Sequence, residues 1–277
     1  MSETAPTDVR ANGERALPRL SVECLTGASP RDRSRILREE LDRQPGCVVV
    51  EGVPVDGNEA LLSLAKSLGS VTARGTTIPG HPLEDGRVYR VEPVNAGQGV
   101  RDEDDLLIFS TTGQVFEGHT DGYHNVEPPA YVLLLCVRPD HGLFGRTSVI
   151  DAAEALPRLD PRTAALLYDE DYPCAFGRTS ILSGPRARPR VRFNFKEIQR
   201  FHAAGHVVDD AHLRAARALH ELVSGPALAW RHLLQAGECL VIDNSRALHA
   251  RESLSPQSTR LLKRVWVDPV DMEGSST

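Results

Sequence analysis

Apolar residues in this chain are concentrated in short runs, and the longest run predicts a central strand. Residues 130–137 read Ala-Tyr-Val-Leu-Leu-Leu-Cys-Val and are almost wholly apolar, which is typical of a strand covered on both faces. Residues 46–50 form a shorter run of the same kind. Weaker strand patterns occur in residues 88–91, 147–150, 191–195, 238–243 and 259–267. The chain is therefore expected to be built around a buried sheet.

Helical periodicity falls between these runs, in residues 29–41, 58–68, 161–168 and 209–224. Ser29 followed by Pro30 is typical of a helix start, because serine caps free N–H groups and proline fits the first turn. Gly69 follows the second segment, where glycine favours a helix end. Asp151 before an apolar run predicts a shorter helix that ends near residue 156.

This pattern predicts an α+β fold in a single domain. Short strands with long helical insertions and no repeated strand–helix–strand alternation argue against a doubly wound parallel sheet. A double-stranded β-helix, a jelly-roll core with flanking helices and long insertions, closes its own edges and suits the pattern. Residues 1–16 are expected to be a disordered N-terminal tail, residues 17–270 the single domain, and residues 271–277 a flexible C-terminal tail.

Two polar segments interrupt the pattern. Residues 95–105 are rich in glycine and charge and predict a mobile loop. A second segment, residues 176–192, carries five arginines: Arg178, Arg186, Arg188, Arg190 and Arg192. Two interpretations of it stay open. It is either a solvated charged surface or a lid that folds over an anionic substrate.

Composition narrows the class of protein. The 277 residues carry a net charge of −6, which gives no basic surface for nucleic acid. No apolar run is as long as a membrane span, and the first residues lack the apolar core of a signal peptide. We therefore expect a cytoplasmic protein that binds a small molecule, does not bind membranes and is compatible with a homodimer. The five cysteines form no Cys-x-x-Cys pair and are expected to be free thiols.

The candidate chemistry centres on His119 and Asp121. Two residues that lie two positions apart on an extended backbone project from the same side, so they can offer neighbouring ligands to one metal ion. A third ligand must come from elsewhere, and His249 is the best candidate. Two histidines and one carboxylate on a single face is the arrangement of non-haem Fe(II) oxygenases. The alternatives are a solvated His/Asp loop pair and, for His249, a buried core histidine.

Four motifs, in order, resemble those of the taurine dioxygenase and clavaminate synthase-like family of Fe(II)/2-oxoglutarate oxygenases. Residues 46–52 match Gly-x-Val-Val-x-x-Gly, and residues 119–121 match His-x-Asp. Residues 145–147 look like the family's glycine-rich segment that ends in threonine, and residues 243–249 match Asp-Asn-x-Arg-x-x-His. The resemblance covers residues 46–267, most of the chain.

This resemblance implies the cofactors and the residues that hold them. Fe(II) would be bound by His119, Asp121 and His249, with 2-oxoglutarate and O2 as co-substrates. Thr147 and Arg260 would bind the 2-oxoglutarate, because Arg260 follows His249 by eleven residues and a guanidinium can hold a carboxylate through two parallel hydrogen bonds. The plainer interpretations are a β-forming threonine and a surface arginine.

The resemblance also implies a substrate-binding arginine. Arg264 lies four residues after Arg260, on the same face of a strand. Other candidate substrate contacts, chosen for their positions near the metal motif or within the arginine-rich segment, are Glu117, Tyr123, Asn125 and Arg192. Glu117 could meet an ammonium group, so the favoured substrate is a free amino acid or a close derivative. Arg251 would either orient His249 and form the wall of the site or make an ordinary salt bridge, and His124 is expected to be a loop residue beside the site.

The expected activity is hydroxylation of an unactivated carbon of such a substrate in natural product biosynthesis. Desaturation or cyclisation with the same cofactors is one alternative. A zinc-dependent hydrolase that uses the same ligands, and a jelly-roll binding protein without chemistry, are the others.

Overall fold

The computed structural model describes residues 15–73, 82–101 and 107–269. Most of the predicted N-terminal tail, residues 1–16, and all of the predicted C-terminal tail, residues 271–277, lie outside them. Seven α-helices occur in the described part of the chain. They are α1 (Val22–Thr26), α2 (Pro30–Leu41), α3 (Glu59–Lys66), α4 (Ala152–Ala155), α5 (Pro161–Leu166), α6 (Phe195–Ala203) and α7 (Asp210–Ser224). None of these helices has both the length and the apolar character needed to cross a membrane.

The strands in these same residues are mostly short. They are β1 (Arg19–Ser21), β2 (Cys47–Glu51), β3 (Gly69–Thr72), β4 (Tyr89–Val91), β5 (Phe116–His119), β6 (Tyr131–Arg138), β7 (Thr147–Asp151), β8 (Tyr172–Cys174), β9 (Gly177–Thr179), β10 (Leu182–Ser183), β11 (Arg190–Val191), β12 (Trp230–His232), β13 (Cys239–Asp243), β14 (Ala247–Arg251) and β15 (Leu261–Pro269).

The larger sheet has the strand order β1-β2-β13-β6-β15-β3, and β4 also pairs with β15. The almost wholly apolar β6 lies between β13 and β15, so the predicted central strand is confirmed. A second sheet has the order β12-β7-β14-β5. The mixture of helices and mainly antiparallel strands confirms the α+β class.

The two sheets pack against each other through a shared apolar core. Val49 and Leu240 of the larger sheet belong to the same buried cluster as Val149 and Ala247 of the second sheet. On the outer side of the larger sheet, α2 and α3 add a separate core. Helix α7 covers the second sheet at Ile150 and the residues around it. The molecule is thus layered as helix, sheet, sheet and helix.

Helix starts follow the capping residues that the sequence predicts. The Ser29 hydroxyl accepts a hydrogen bond from the Asp32 N–H at the start of α2, and the Asp151 carboxylate accepts one from the Ala153 N–H at the start of α4. Asp209 caps α7 in the same way. The predicted free thiols are confirmed, since all five cysteines are unpaired.

Two local predictions are wrong. The predicted strand at residues 191–195 ends at Val191, and α6 begins at Phe195 with the Asn194 side chain accepting from the Glu197 N–H. Asparagine three residues before glutamate is a helix-start pattern, which the alternation of apolar residues concealed. Residues 247–251, for which no strand is predicted between the strands at residues 238–243 and 259–267, form the strand β14 that carries His249.

The arginine-rich segment, residues 176–192, contacts the rest of the molecule at several points. Arg178 donates to the carbonyl oxygens of Asp171 and Val207, and Arg188 forms an ion pair with Asp42. The Arg186 guanidinium lies over the Tyr168 ring. These contacts fit a docked surface segment, and its predicted role as a lid stays a prediction.

Candidate metal centre and co-substrate cavity

The register of the second sheet brings the two histidines together. His249 on β14 lies directly opposite His119 on β5, and Asp121 follows two residues after β5 ends. The Asp121 Oδ1 atom lies 3.5 Å from His119 Nε2 and 3.6 Å from His249 Nε2. Neighbouring ligands of one first-row metal ion, each at roughly 2.1 Å, lie about 3 Å apart. The three side chains therefore fit one metal ion after a small contraction.

Hydrogen bonding leaves His119 ready to bind a metal. Its Nδ1 lies 2.7 Å from the Glu117 carbonyl oxygen and must donate to it. The proton is thereby placed on Nδ1, and the lone pair is left on Nε2. That Nε2 atom is buried and has no hydrogen-bond partner in the part of the chain that the structure describes. A buried nitrogen without a partner is costly, and a bound metal ion would satisfy it.

Electrostatics favour the protonation states that bind a metal. Burial lowers the pKa of His249 to about 3, and the neighbouring His119 and Arg264 add to the effect. Burial by itself would raise the pKa of Asp121. The Arg264 guanidinium and the two histidines nevertheless bring that pKa well below its ordinary value. At neutral pH the site thus holds a neutral His249 imidazole and an ionised Asp121 carboxylate.

The backbone of the metal motif is held from both sides. The Asn244 side chain accepts from the Asp121 N–H at 2.8 Å and donates to the Asp121 carbonyl oxygen at 3.0 Å. On the other side, the Thr120 N–H donates to the Phe193 carbonyl oxygen at 2.7 Å, and the Phe193 N–H donates to the Thr120 hydroxyl at 2.9 Å. Asn244 belongs to the predicted motif at residues 243–249, and this double hydrogen bond gives it a function.

A cavity opens from the metal ligands toward Arg260. Six of the predicted site residues line it: His119, Asp121, Thr147, His249, Arg260 and Arg264. The Arg260 side chain is buried, and burial lowers its pKa to about 10. Within residues 15–73, 82–101 and 107–269, no carboxylate forms an ion pair with it. A buried cation at the end of a cavity is a suitable partner for a ligand carboxylate.

Gly145 makes room for this arginine and its neighbours. Its φ angle is +73°, in the region that favours glycine. A Cβ atom there would lie 2.4 Å from the Leu254 side chain and 3.6 Å from Arg260 Cδ. Steric crowding therefore explains why a glycine occupies residue 145 of the predicted motif at residues 145–147. Thr147 of the same motif lines the cavity.

Arg251 also lines the cavity, and its contacts favour one of the two predicted interpretations. Its guanidinium donates to the Thr112 carbonyl oxygen at 2.8 Å and to that of Gln114. No described carboxylate forms an ion pair with it. Arg251 thus fixes the segment around residue 112 as a wall of the cavity and makes no salt bridge with a described residue.

The remaining predicted substrate residues do not line this cavity. The Glu117 carboxylate lies 3.7 Å from Lys196 Nζ and 3.8 Å from His220 Nε2. A β-bulge is the reason, because the four residues from Phe116 to His119 on β5 oppose only three, His249 to Arg251, on β14. Phe116 therefore faces the cavity in place of Glu117.

Tyr123 and Arg192 pack together beside the metal motif. Tyr123 is buried and donates its hydroxyl proton to the Pro173 carbonyl oxygen at 2.8 Å. Arg192 donates to the carbonyl oxygens of Tyr123 and Val126. Asn125 lies in the same turn, where its N–H donates to the Gly122 carbonyl oxygen. These side chains support the segment that follows Asp121.

Sequence reasoning missed two aromatic residues at the site. The Trp266 indole N–H donates to Asp121 Oδ2 at 2.6 Å. Tyr89 pairs with Arg264 across β4 and β15, and the Arg264 guanidinium lies over both rings. Trp266 lies two residues after Arg264, so the period of a strand could have placed it on the same face.

Comparison with known proteins adds relatives of both sequence and fold. The chain is 30% identical over 178 residues to clavaminate synthase 2 of Streptomyces clavuligerus, covering 58% of this chain and 52% of that protein. It is 27% identical over 243 residues to L-asparagine oxygenase of Streptomyces coelicolor, covering 80% and 71%. The chain thus spans about half the length of the first relative.

Among solved structures, the non-haem iron oxygenase OrfP in complex with Fe and α-ketoglutaric acid has a TM-score of 0.64 at 19% identity, covering 91% of this chain and 94% of that one. At this identity the likeness shows the fold. The predicted cofactors agree with those bound in that structure. The taurine catabolism dioxygenase TauD, TfdA family matches residues 15–266. The chain therefore belongs to this dioxygenase family, as the order of its motifs predicts.

Proposed function

We propose that this protein is an Fe(II)/2-oxoglutarate-dependent dioxygenase that hydroxylates an unactivated carbon of a free amino acid or a close derivative. The two packed sheets, with His119 and His249 on strands of the second sheet and Asp121 just after one of them, support a double-stranded β-helix as the description of the fold. Desaturation or cyclisation would use the same residues and is a different outcome of the same site.

One observation carries the proposal. A buried His/Asp/His set, with an unbonded Nε2 on His119, opens onto a cavity that ends at the buried cation Arg260. The ligand set suits a first-row metal with open positions on one side. The cation suits the distal carboxylate of a dicarboxylic keto acid. A hydrolytic zinc site needs the first feature but has no use for the second.

Different residues would bind the metal and the co-substrate. His119, Asp121 and His249 would hold the metal on one face, while Arg260 and the Thr147 hydroxyl would bind and orient the 2-oxoglutarate carboxylate. When bound, the iron supplies dioxygen activation coupled to decarboxylation of 2-oxoglutarate to succinate. The apolar walls, Val91, Leu134 and Leu262, keep water away from this subsite.

Arg264 supports an amino-acid substrate. It lines the cavity beside the metal ligands, and its Nη1 atom lies 3.2 Å from Asp121 Oδ2. The rest of its guanidinium has no recorded partner among the described residues and could bind a substrate carboxylate. The names of the relatives, which include L-asparagine oxygenase, favour the same class of substrate.

The first test is an anaerobic titration of the metal-free protein with Fe(II) and then 2-oxoglutarate, followed by visible absorption. A weak metal-to-ligand charge-transfer band is expected. Succinate release with a panel of free amino acids would then identify the substrate class. Tight zinc binding without any such band would instead support the hydrolase and overturn the proposal.

A further inference from the structure

The two oxygens of the Asp121 carboxylate have different surroundings. Oδ1 faces the Nε2 atoms of His119 and His249, at 3.5 and 3.6 Å. Oδ2 accepts the Trp266 indole N–H at 2.6 Å and lies 3.2 Å from Arg264 Nη1. Only Oδ1 is therefore directed at the place where the two histidines meet.

We propose that Trp266 is a positioning residue of the metal centre. Its N–H holds Oδ2, so that Asp121 presents Oδ1 alone to the metal and remains a one-oxygen ligand. This leaves more positions free on the metal than a carboxylate that binds through both oxygens. The inference rests on the proposed metal site, but the hydrogen bond itself does not depend on it.

Trp266 is better suited to this role than Arg264, although both contact the same oxygen. The Trp266 side chain is buried and pairs with Val132 inside the larger sheet, which fixes the ring. Arg264 faces the cavity, where a substrate carboxylate would compete with Asp121 for its guanidinium. The indole N–H has a single proton and one acceptor. The indole N–H therefore keeps Asp121 in place even when Arg264 also binds a substrate carboxylate.

The two rings also limit where Arg264 can move. Its guanidinium carbon lies 5.1 Å from the Tyr89 ring centre and 4.9 Å from that of Trp266, and the two rings are 5.5 Å apart. Stacking of this kind holds a guanidinium in one plane without neutralising it. Trp266 thus contacts both the Asp121 Oδ2 atom and the Arg264 guanidinium, and it helps to position each of them.

The sequence provides a matched control, because it contains only two tryptophans. Trp230 is also buried, and its indole N–H has no hydrogen-bond partner among the described residues. Trp266→Phe removes the N–H that contacts Asp121 and keeps an aromatic ring under Arg264. Trp230→Phe removes an N–H that contacts no metal ligand. Both changes cost a similar amount of buried surface.

Co(II) binding under anaerobic conditions measures the role without turnover. Removing a hydrogen bond to a metal ligand typically weakens metal binding about 10- to 100-fold. We expect Trp266→Phe to raise the Co(II) dissociation constant about tenfold and to change the visible d–d absorption, because Asp121 can then rotate. Trp230→Phe should stay close to the wild type in both. Wild-type affinity and an unchanged spectrum in Trp266→Phe would overturn the inference.

A second measurement covers the case in which Trp266→Phe does not fold. In 15N-tryptophan-labelled Trp230→Phe protein, the single indole N–H resonance comes from Trp266. Its hydrogen bond to a carboxylate should protect it from exchange, and Asp121→Ala in this background should shift it. A resonance that does not respond to Asp121→Ala would overturn the inference. Wild-type protein that binds no Co(II) would instead overturn the proposed function, and with it the positioning role.

Discussion

Two groups of histidine and aspartate in this protein have almost the same composition but different surroundings. The first is the proposed metal centre of His119, Asp121 and His249, and the second comprises Asp171, Asp209 and His212. In each group the candidate ligand atoms all lie within 4.8 Å of one another. Distance alone would therefore predict two metal sites.

The difference lies in what each imidazole already binds. His212 Nδ1 is hydrogen-bonded to Asp209, and its Nε2 lies 3.1 Å from an Asp169 oxygen and 3.5 Å from one of Asp171. Both ring nitrogens are occupied, and these carboxylates are about half exposed to solvent. In the proposed metal centre, one buried nitrogen of His119 has no hydrogen-bond partner among the described residues. An unused lone pair in a buried place distinguishes a ligand from a structural histidine.

The histidine pKa values of the two groups shift in opposite directions, which agrees with this difference in hydrogen bonding. Burial lowers the pKa of His249 to about 3, which keeps it neutral. Burial also opposes the charged form of His212, but the hydrogen bonds to Asp209 and Asp169 outweigh it and raise the pKa. The first histidine is kept in the form that binds metals, and the second is kept in the form that binds carboxylates.

The largest effect is expected from Asp121→Ala. Loss of the only carboxylate among the three ligands should abolish Fe(II) binding at micromolar protein and, with it, hydroxylation. Anaerobic metal titration and succinate release measure the two effects. Asp209→Ala is the matched change in the second group and should leave metal binding intact. Metal binding that depends on Asp209 and not on Asp121 would show that the second group, and not the first, is the metal site.

The proposed ligands of the first group could be chosen from the sequence because their motifs combine metal-binding residue types with the order found in the family that the chain resembles. Residues 119–121 and 243–249 lie far apart in the sequence, yet each contains residue types that metal binding requires. The family resemblance, together with the spacing of Arg260 after His249, predicted a cation for the co-substrate, and Arg260 is the buried cation of the cavity. His119 and His249 lie on strands of the second sheet, where alternation determines which face a side chain occupies. Asp121 and Arg260 lie within two residues of a strand end.

The surroundings of the ligands could not be predicted in the same way. The bulge between β5 and β14 turns Phe116 toward the cavity in place of Glu117, and alternation alone cannot reveal an extra residue. Trp266 reaches Asp121 because β15 belongs to the other sheet, a contact that depends on how the sheets pack. Short-range patterns therefore identify ligands better than the residues that orient them.

The second largest effect is expected from Arg260→Ala. Arg260 forms no ion pair with a described carboxylate. Arg178, which lies beside the second group, is 3.5 Å from an Asp171 oxygen. Hydrogen bonds to a charged group contribute about 1.5–3 kcal/mol each. Losing a bidentate contact should raise the 2-oxoglutarate dissociation constant roughly 100-fold, since 1.4 kcal/mol corresponds to a factor of ten.

The charge-transfer titration with Fe(II) present measures this constant directly. Arg178→Ala is the matched control and should leave it unchanged. Unchanged 2-oxoglutarate affinity in Arg260→Ala would move the co-substrate role to Arg264 or to Arg251, both of which line the same cavity.

A smaller effect, on stability alone, is expected from His212→Leu. This change removes the hydrogen bonds to Asp209 and Asp169 and leaves their like charges close together. Because those carboxylates are about half exposed, solvent screening reduces the loss to about 1 kcal/mol. Urea unfolding of the metal-free proteins measures it. Co(II) affinity should not change, and a large loss of affinity would show that the second group is part of the metal chemistry.

The smallest effect is the pH dependence of that difference in stability. The folded-state pKa of His212 is raised, above the value of about 6.5 that is typical of an unfolded chain. The stabilisation is therefore fully present below about pH 6.5 and is lost as the pH rises through the folded-state pKa. The free-energy difference between wild type and His212→Leu should be larger at pH 6 than at pH 9. A difference that grows with pH would mean that His212 is held neutral, and the contrast between the two groups would then disappear.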